Sequence, residues 1–267
     1  MRSFSLSRIM MFIGFAFLYL PMLVLIIYSF NASRLVTVWG GWSTEWYSVL
    51  LEDQQLIDAV STSLTLAFIS ASMALVLGTM AGFVLTSFKR SRSRSLLSNM
   101  VAAPLVMPEV ITGLSLLLLF VQLSDTLGWP AERGMSTLWI AHSTFCSAYV
   151  AVIVSSRLRE RDRTLEEAAM DLGATPLQTF FLITIPGIAP GLIAGWLLAF
   201  SLSLDDLVIA SFASGPGSTT LPMLVFSSVR MGVSPKINAL ASMMLLSISL
   251  LAIIAWLLVE RSKNRNR

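Results

Sequence analysis

Charge and cysteine are both scarce in this sequence of 267 residues. Only 12% of the residues are charged, about half the share that soluble domains carry. By contrast, 55% are hydrophobic and the mean hydropathy is +0.78. This composition excludes an ordinary water-soluble globule, and the high apolar content excludes a disordered chain. The single cysteine, Cys146, excludes an intrachain disulfide framework and a cysteine-based zinc site. The composition therefore indicates an integral membrane protein.

Sequence motifs of catalysis are missing as well. The chain has no G-x-x-x-x-G-K-S/T loop for the phosphates of ATP, and neither a G-x-S-x-G nor an H-E-x-x-H motif. Its basic loops contain few aromatic residues and flank apolar segments, which explains their charge without nucleic acid. We therefore expect a chain that is not an enzyme, holds no metal or cofactor of its own and binds no nucleic acid.

Six apolar stretches reach the roughly 20 residues that a membrane-spanning helix needs. They cover residues 9–30, 59–88, 96–123, 135–156, 187–212 and 237–259. The first run, of about 22 residues, exceeds the apolar region of a signal peptide, so we expect it to be retained as a span. The sequence predicts an all-α integral membrane protein with six transmembrane helices embedded in a lipid bilayer.

The distribution of basic residues predicts the orientation of these spans. Fourteen of the 18 Lys and Arg residues lie at the N-terminus, in the loops after the second and fourth spans, and in the C-terminal tail. The positive-inside rule places these segments, and so both termini, in the cytoplasm. The loop of residues 31–58 carries Trp39, Trp42, Trp46 and Tyr47 and is expected to lie at the outer surface of the membrane.

The cytoplasmic segment after the fourth span carries helix signals of its own. Thr164 and Glu167 match a capping box, which predicts a helix that begins at Leu165. Gly173 is the residue type that ends such a helix. Thr175-Pro176 is typical of a second helix start. The sequence therefore predicts two short helices, joined by a glycine corner, outside the membrane.

The first of these helices has a small apolar face. Four residues recur at helical spacing, namely Leu165, Ala168, Ala169 and Leu172. Because alanine is small, another surface could approach this face closely. The alternative is that the helix packs the face against its own chain.

The same segment, residues 157–186, resembles the EAA motif of ABC-importer permease subunits. The motif residues here are Glu167, Ala168, Ala169, Gly173, Ile183, Ile185 and Pro186. The family has leucine where this chain has Ile185. In that family the two short helices form the coupling element that sits in a cleft of the ATP-hydrolysing subunit. The resemblance thus implies an ATPase-coupling surface made of Glu167, Ala168, Ala169, Gly173 and Pro186, with Asp171 assisting.

Three longer segments, residues 28–47, 104–120 and 201–235, are similar to the second permease subunits of putrescine and polyamine importers. The similarity extends over nearly the whole chain. It implies a bacterial inner-membrane protein that works with a sister permease, two ATP-binding subunits and a periplasmic polyamine-binding protein. ATP and Mg²⁺ would then be used by the partner ATPase and not by this chain.

The resemblance also implies a fold and a domain organisation. The fold is the type I ABC importer permease fold, with six transmembrane helices and cytoplasmic coupling helices. Residues 1–58 would form the cytoplasmic N-terminus, the first span and a periplasmic interfacial segment. Residues 59–256 would form the permease core, and residues 257–267 a basic cytoplasmic tail.

Three carboxylates fall inside the predicted spans, Glu109, Asp205 and Asp206. A charge near the bilayer centre costs about 3 kcal/mol, so such residues usually face a cavity or a partner. Glu109 is expected about 20 Å from the cytoplasmic end of the third span, at 1.5 Å per residue. Pro104 and Pro108 precede it and are expected to bend or open this helix and free backbone carbonyls. Carbonyls and carboxylates both suit the ammonium groups of a diamine, which makes Glu109 a candidate for the substrate path.

Adjacent residues on a helix differ by about 100° in direction, so Asp205 and Asp206 cannot share one face. One is expected to face the path, while the other caps a helix end, pairs or binds the sister subunit. Trp196 and Tyr149 are further candidates because aromatic faces attract ammonium groups, although packing is the commoner role. The lone His142 is expected to be a hydrogen-bonded span residue and not a ligand.

The function that these patterns favour is that of a permease subunit for a polyamine, with putrescine first. One alternative keeps the permease and changes the cargo to spermidine, another cation, an oxyanion, a sugar or a metal chelate. The predicted spans offer carboxylates and no receiving positive charge, which argues against an anion. A second alternative is a self-sufficient channel or secondary transporter, and a third is a membrane-embedded enzyme. A channel or secondary transporter has no reason to carry a coupling segment. A membrane-embedded enzyme needs a set of catalytic residues, which the sequence does not show.

Overall fold

The computed structural model describes residues 6–36, 38–87, 91–162, 164–232 and 234–265. These residues are helical nearly throughout. In chain order the helices are α1 (Leu6–Tyr28), α2 (Glu45–Glu52), α3 (Gln54–Ser87), α4 (Arg92–Val106), α5 (Glu109–Leu127), α6 (Met135–Glu160), α7 (Thr164–Asp171), α8 (Pro176–Thr179), α9 (Ile185–Asp205), α10 (Val208–Ala213), α11 (Leu221–Met231) and α12 (Pro235–Arg265). A π-helical turn, Phe180–Thr184, joins α8 to α9. The predicted all-α class is confirmed.

Five helices in the described residues are long and apolar enough to cross a membrane. They are α1, α3, α5, α6 and the continuous helix Pro176–Asp205. The sixth predicted span, residues 237–259, lies in α12, where the apolar part that can be assessed is Pro235–Leu250. Most side chains beyond Leu250 lie outside the described set. The sixth span therefore stays a prediction.

The third predicted span, residues 96–123, is not one helix. Helix α4 ends at Val106 and α5 begins at Glu109, with Met107 and Pro108 extended between them. Proline cannot donate a helical hydrogen bond and pushes the preceding residue out of the helical region, which explains the break. Pro104 remains inside α4. Glu109 is thus the first residue of α5 and does not continue α4, so the expectation that the prolines bend or open the helix is confirmed at Pro108. The predicted distance of Glu109 from the cytoplasmic end stays a prediction.

The fifth predicted span, residues 187–212, also has different ends. The helix begins at Pro176 and breaks after Asp205, and the short α10 follows. The helix therefore ends before residue 212, where the predicted span ends. The break comes earlier because the Asp206 side chain takes over the first backbone N–H groups of α10.

The described residues form two compact units. The central unit, residues 58–224, is built around α6, whose buried face supplies Leu138, Phe145 and Val150 to the core. Glycines allow α3 and α9 to approach α6 closely. A Cβ at Gly78 would lie 2.6 Å from Cβ of Val150, and one at Gly191 would lie 2.4 Å from Cγ of Arg157.

The terminal unit combines the chain up to Ile57 with the chain from Val225 onwards. Its α1 and α2 both pack on α12, and Lys236 pairs with Asp53. The loop after α1 is organised by the buried Asn31, whose Oδ1 accepts the backbone N–H of Gly40 at 2.8 Å. The tryptophan rings of this loop, at positions 39 and 42, remain exposed.

Candidate functional site

Helix α7 begins and ends through local hydrogen bonds. It starts at Thr164, one residue before the predicted start, and the backbone N–H of Thr164 donates to Oδ1 of Asp162 at 2.9 Å. This backbone hydrogen bond lowers the pKa of the Asp162 carboxyl below its usual value, and a weaker contribution comes from a hydrogen bond with the Thr164 hydroxyl. At the other end, Gly173 has a φ of +90°, and the N–H of Ala174 reaches the carbonyl of Ala169 at 3.0 Å. This is the glycine-dependent helix end that the sequence predicts.

The second predicted helix start is also confirmed, but the helix is not a separate short one. The Thr175 hydroxyl accepts the N–H of Gln178 at 3.3 Å, and Gln178 Oε1 accepts the N–H of Thr175 at 2.8 Å. From Pro176 the helix continues through the π turn into α9. Pro186 lies just after this turn and cannot donate the helical bond at its position, a situation that a wider turn accommodates. The second predicted short helix is therefore the beginning of the long apolar helix Pro176–Asp205.

The coupling residues predicted from the sequence lie on an open surface. Exposed residues are Glu167, Ala168, Asp171, Gly173 and Pro186, and Ala169 is half-buried. On the predicted apolar face, Leu165 is 62% and Leu172 is 90% exposed. No residue of α7 is buried. The helix thus presents its apolar residues and does not pack them on its own chain.

A polar cluster that no sequence motif predicts connects α7 to the end of α6 and to the π turn before α9. The Glu166 carboxylate accepts hydrogen bonds from Arg161 and from the Thr184 hydroxyl. Nη1 of Arg161 also donates to Oγ1 of Thr184, at 3.0 Å. Beside this cluster lies a cavity of about 290 Å³, whose walls include Phe83 and Phe180. No periodic pattern could have found the three polar residues, because they come from three different elements.

The three intramembrane carboxylates lie near one another at helix ends. Glu109 is exposed at the start of α5, Asp205 is exposed at the end of α9, and Asp206 is buried just beyond it. Glu109 and Asp205 both interact electrostatically with Asp206, and Glu109 does so with Tyr149 as well. These four predicted site residues therefore share one neighbourhood.

Trp196, another predicted residue of the substrate path, lies apart from this carboxylate neighbourhood. Its indole N–H donates to Oγ of Ser72 at 3.2 Å, and its ring stacks on Phe200 with centroids 5.3 Å apart. Along α9 it precedes Asp205 by nine residues, or about 14 Å at 1.5 Å per residue. The structure places Trp196 against α3, apart from the carboxylates.

Asp206 holds the beginning of α10. Its two carboxylate oxygens accept the backbone N–H groups of Ile209 at 3.3 Å and of Ala210 at 2.7 Å. Nε2 of His142 lies 3.4 Å from Oδ2 of Asp206, without the alignment of a hydrogen bond. The other ring nitrogen of His142 hydrogen-bonds Oγ of Ser203 at 2.8 Å, so the expectation of a hydrogen-bonded span histidine is confirmed.

The described side chains include no group of three or more His, Cys, Asp and Glu that is arranged to hold a metal ion. Cys146, one turn after His142 on α6, is buried and points its thiol at the carbonyl of Ala199, 3.5 Å away. The carboxylate neighbourhood is therefore a cluster of oxygen acceptors, of which Glu109 and Asp205 are exposed and Asp206 is buried.

Comparison with protein families places the chain among transport proteins. Residues 74–267 match the family described as the binding-protein-dependent transport system inner membrane component. The putrescine transport system permease protein PotI of Escherichia coli (strain K12) is 63% identical over 257 residues, which cover 96% of this chain and 92% of that protein. The spermidine/putrescine transport system permease protein PotC of the same strain is 39% identical over 251 residues, covering 94% and 92%.

Solved structures share the fold. A bacterial ABC transporter involved in the import of the acidic polysaccharide alginate aligns with a TM-score of 0.70 at 15% identity, covering 96% of this chain and 94% of that one. The inward-facing MetNI methionine ABC transporter aligns with a TM-score of 0.62 at 17% identity, covering 78% and 95%. The predicted ABC-importer permease fold is confirmed.

Proposed function

This chain belongs to the family of binding-protein-dependent transport system inner membrane components, and from that membership we propose that it imports a polyamine, with putrescine first. It is a multi-pass inner-membrane transport subunit. The observation that carries the cargo proposal is the similarity, over nearly the full length, to a putrescine permease. The next relative carries a name with both spermidine and putrescine, so spermidine is the second candidate.

The proposed assembly has four kinds of component. This chain pairs with a sister permease, two ATP-binding subunits drive the pair, and a periplasmic polyamine-binding protein delivers the cargo. ATP and Mg²⁺ belong to the ATP-binding subunits. Both termini lie in the cytoplasm, which is supported by the excess of Lys and Arg in the segments assigned to that side.

Coupling to the ATPase takes place through α7 and the start of α8. The exposed Leu165 and Leu172 supply apolar contact area, and the neighbouring Glu167 and Asp171 supply charge. When ATP closes the partner subunits, the surface moves and the spans rock between outward-facing and inward-facing states. A channel or secondary transporter would have no use for such an exposed helix, which is why the permease assignment is preferred.

Polyamine passage uses the open carboxylates. Asp205 lies at the C-terminal end of α9, where the helix dipole is negative and free carbonyls favour a cation. Glu109 faces the same neighbourhood from the start of α5, and Tyr149 adds an aromatic face. Asp206 contributes negative charge while holding α10. Trp196 provides a second aromatic face nearer the cytoplasmic end of α9.

The test is uptake of labelled putrescine by cells that carry the complete system. Glu109→Gln is expected to lower uptake about tenfold, since a hydrogen bond to a charged group contributes about 1.5–3 kcal/mol. The matched control is Asp125→Asn, which removes an exposed carboxylate near the far end of the same helix and is expected to leave uptake unchanged. Equal uptake by wild type and Glu109→Gln would remove Glu109 from the path. A wild-type system that carries neither putrescine nor spermidine would contradict the cargo.

A further inference from the structure

The attachment of α7 to the rest of the central unit depends on few contacts. The helix has eight residues, none of them buried, and its apolar side chains point outward. A helix that receives force from a partner must nevertheless be held firmly, or it would tilt without moving the spans. The polar cluster of Glu166, Arg161 and Thr184 provides this attachment.

The three side chains form a closed triangle of hydrogen bonds. Arg161 donates to Glu166 and to Thr184, while the Thr184 hydroxyl donates to Glu166. A hydroxyl can accept and donate at once, which is why a threonine can close the triangle. The charged side chains are only 12% and 15% exposed for Arg161 and Glu166, so water screens their interaction less than that of a surface pair.

Each corner of the triangle lies on a different element. Glu166 is in the first turn of α7, Arg161 directly follows α6, and Thr184 is the last residue of the π turn that leads into α9. The same two long helices meet again farther along, where His142 of α6 hydrogen-bonds Ser203 of α9. A displacement of α7 is thus delivered to both helices that flank the carboxylate neighbourhood.

We propose that Glu166, Arg161 and Thr184 act together as a clasp that couples α7 to α6 and α9, so that ATP hydrolysis in the partner is converted into movement of the spans. The inference rests on the proposed importer function. The three are positioning residues, because they act through α7 and touch neither the cargo nor ATP. Loss of the clasp leaves the docking surface in place and lets α7 move independently of the spans.

The experiment measures putrescine uptake and ATP hydrolysis in the same proteoliposomes, which contain the complete transporter and its binding protein. Glu166→Gln and Thr184→Val are expected to lower the putrescine imported per ATP hydrolysed by about tenfold, a typical size for coupling between sites. Hydrolysis itself should continue. Thr184→Ser keeps the hydroxyl and is expected to behave like wild type.

The matched control is Glu160→Gln. Glu160 forms an ion pair with Arg157 within α6, and their side chains are 60% and 55% exposed. Its removal should leave the ratio unchanged. The exchange of Glu166→Arg with Arg161→Glu is expected to restore part of the lost ratio, because the pair can re-form with reversed charge. If Glu166→Gln and Glu160→Gln behave alike, the clasp is refuted.

A second readout does not require transport. Spin labels at Met170→Cys on α7 and Phe181→Cys on the π turn, both exposed, are placed in the assembled complex with Cys146→Ser. Wild type should give a narrow distance distribution and Glu166→Gln a broad one. Narrow distributions in both would overturn the clasp. Wild-type liposomes that import no polyamine would instead overturn the proposed function, and the distance measurement would still decide the clasp.

Discussion

Asp205 and Asp206 are chain neighbours with opposite surroundings. Asp206 is buried, accepts two backbone N–H groups of α10 and lies beside His142, whereas Asp205 is exposed. Helix α9 ends at Asp205 and α10 begins at Val208. This break lets the Asp206 carboxylate bind backbone N–H groups of α10 while the Asp205 carboxylate stays exposed. At the residue scale Asp206 has a structural task, and Asp205 is the acid that stays exposed and that we propose for the cargo path.

This separation predicts different consequences for the two neutral variants. Asp206→Asn should lower the free energy of unfolding by about 1–2 kcal/mol, because it weakens the charge-assisted bonds at the start of α10. Asp205→Asn should leave stability unchanged and lower putrescine uptake. Thermal unfolding of the purified complex and uptake in cells check the two arms. Equal stability loss in both variants would contradict the separation.

Helix α7 and the glycine that ends it show what an element contributes. Gly173 has a positive φ and forms the corner between α7 and the start of α8. The orientation of the exposed helix α7 relative to α8 depends on this corner. The continuous helix Pro176–Asp205 then joins the coupling surface to the carboxylates. At 1.5 Å per residue, the part from Ile185 to Asp205 alone is about 30 Å long. The proposed coupling surface and the helix break after Asp205 are therefore connected by one continuous helix, which has Pro190 in its interior.

Gly173→Asp is expected to abolish uptake while the complex still assembles. A side chain at positive φ costs about 1–2 kcal/mol and changes the corner that orients α7. The control is Gly128→Asp, at the C-terminal end of α5, where φ is +69° and the space for a Cβ is equally open. It should cost similar stability and leave uptake intact. Loss of uptake in both variants would show that backbone strain, and not coupling, is responsible.

At the scale of the whole molecule, function depends on which surfaces face which side of the membrane. The coupling surface must face the ATP-binding subunits, and the aromatic loop after α1 must face the binding protein's side. The family membership requires an inner-membrane protein, and the basic residues supply the direction. The predicted topology places α7 on the cytoplasmic side and the loop of residues 31–58 on the outer side of the membrane.

Sided labelling tests this orientation. In a Cys146→Ser background, an impermeant maleimide should label Leu172→Cys in inverted vesicles and Leu35→Cys in spheroplasts. Both positions are well exposed in this chain, so accessibility limits neither reaction when the membranes lack the ATP-binding subunits that are proposed to cover Leu172. Labelling of both from the same side would contradict the predicted topology.

Local signals in the sequence were sufficient for the membrane class, most spans and the ends of the coupling helices. Gly173 and Thr175-Pro176 act through hydrogen bonds within a few residues, so their effect can be read from the sequence. The proline pair could be recognised as a disturbance of the third span, but only the structure shows that Pro108 breaks the helix and Pro104 does not.

Contacts between distant residues were decided by the tertiary structure alone. Thr184 meets Arg161 across 23 positions, and His142 meets Ser203 across 61. Asp206 meets His142 across 64 positions, with 3.4 Å between Oδ2 and Nε2. No local sequence pattern predicts these contacts, because they form only when the helices pack together. The sequence by itself thus determined what kind of protein this is and which helix ends it has. Packing decided which polar groups are held together.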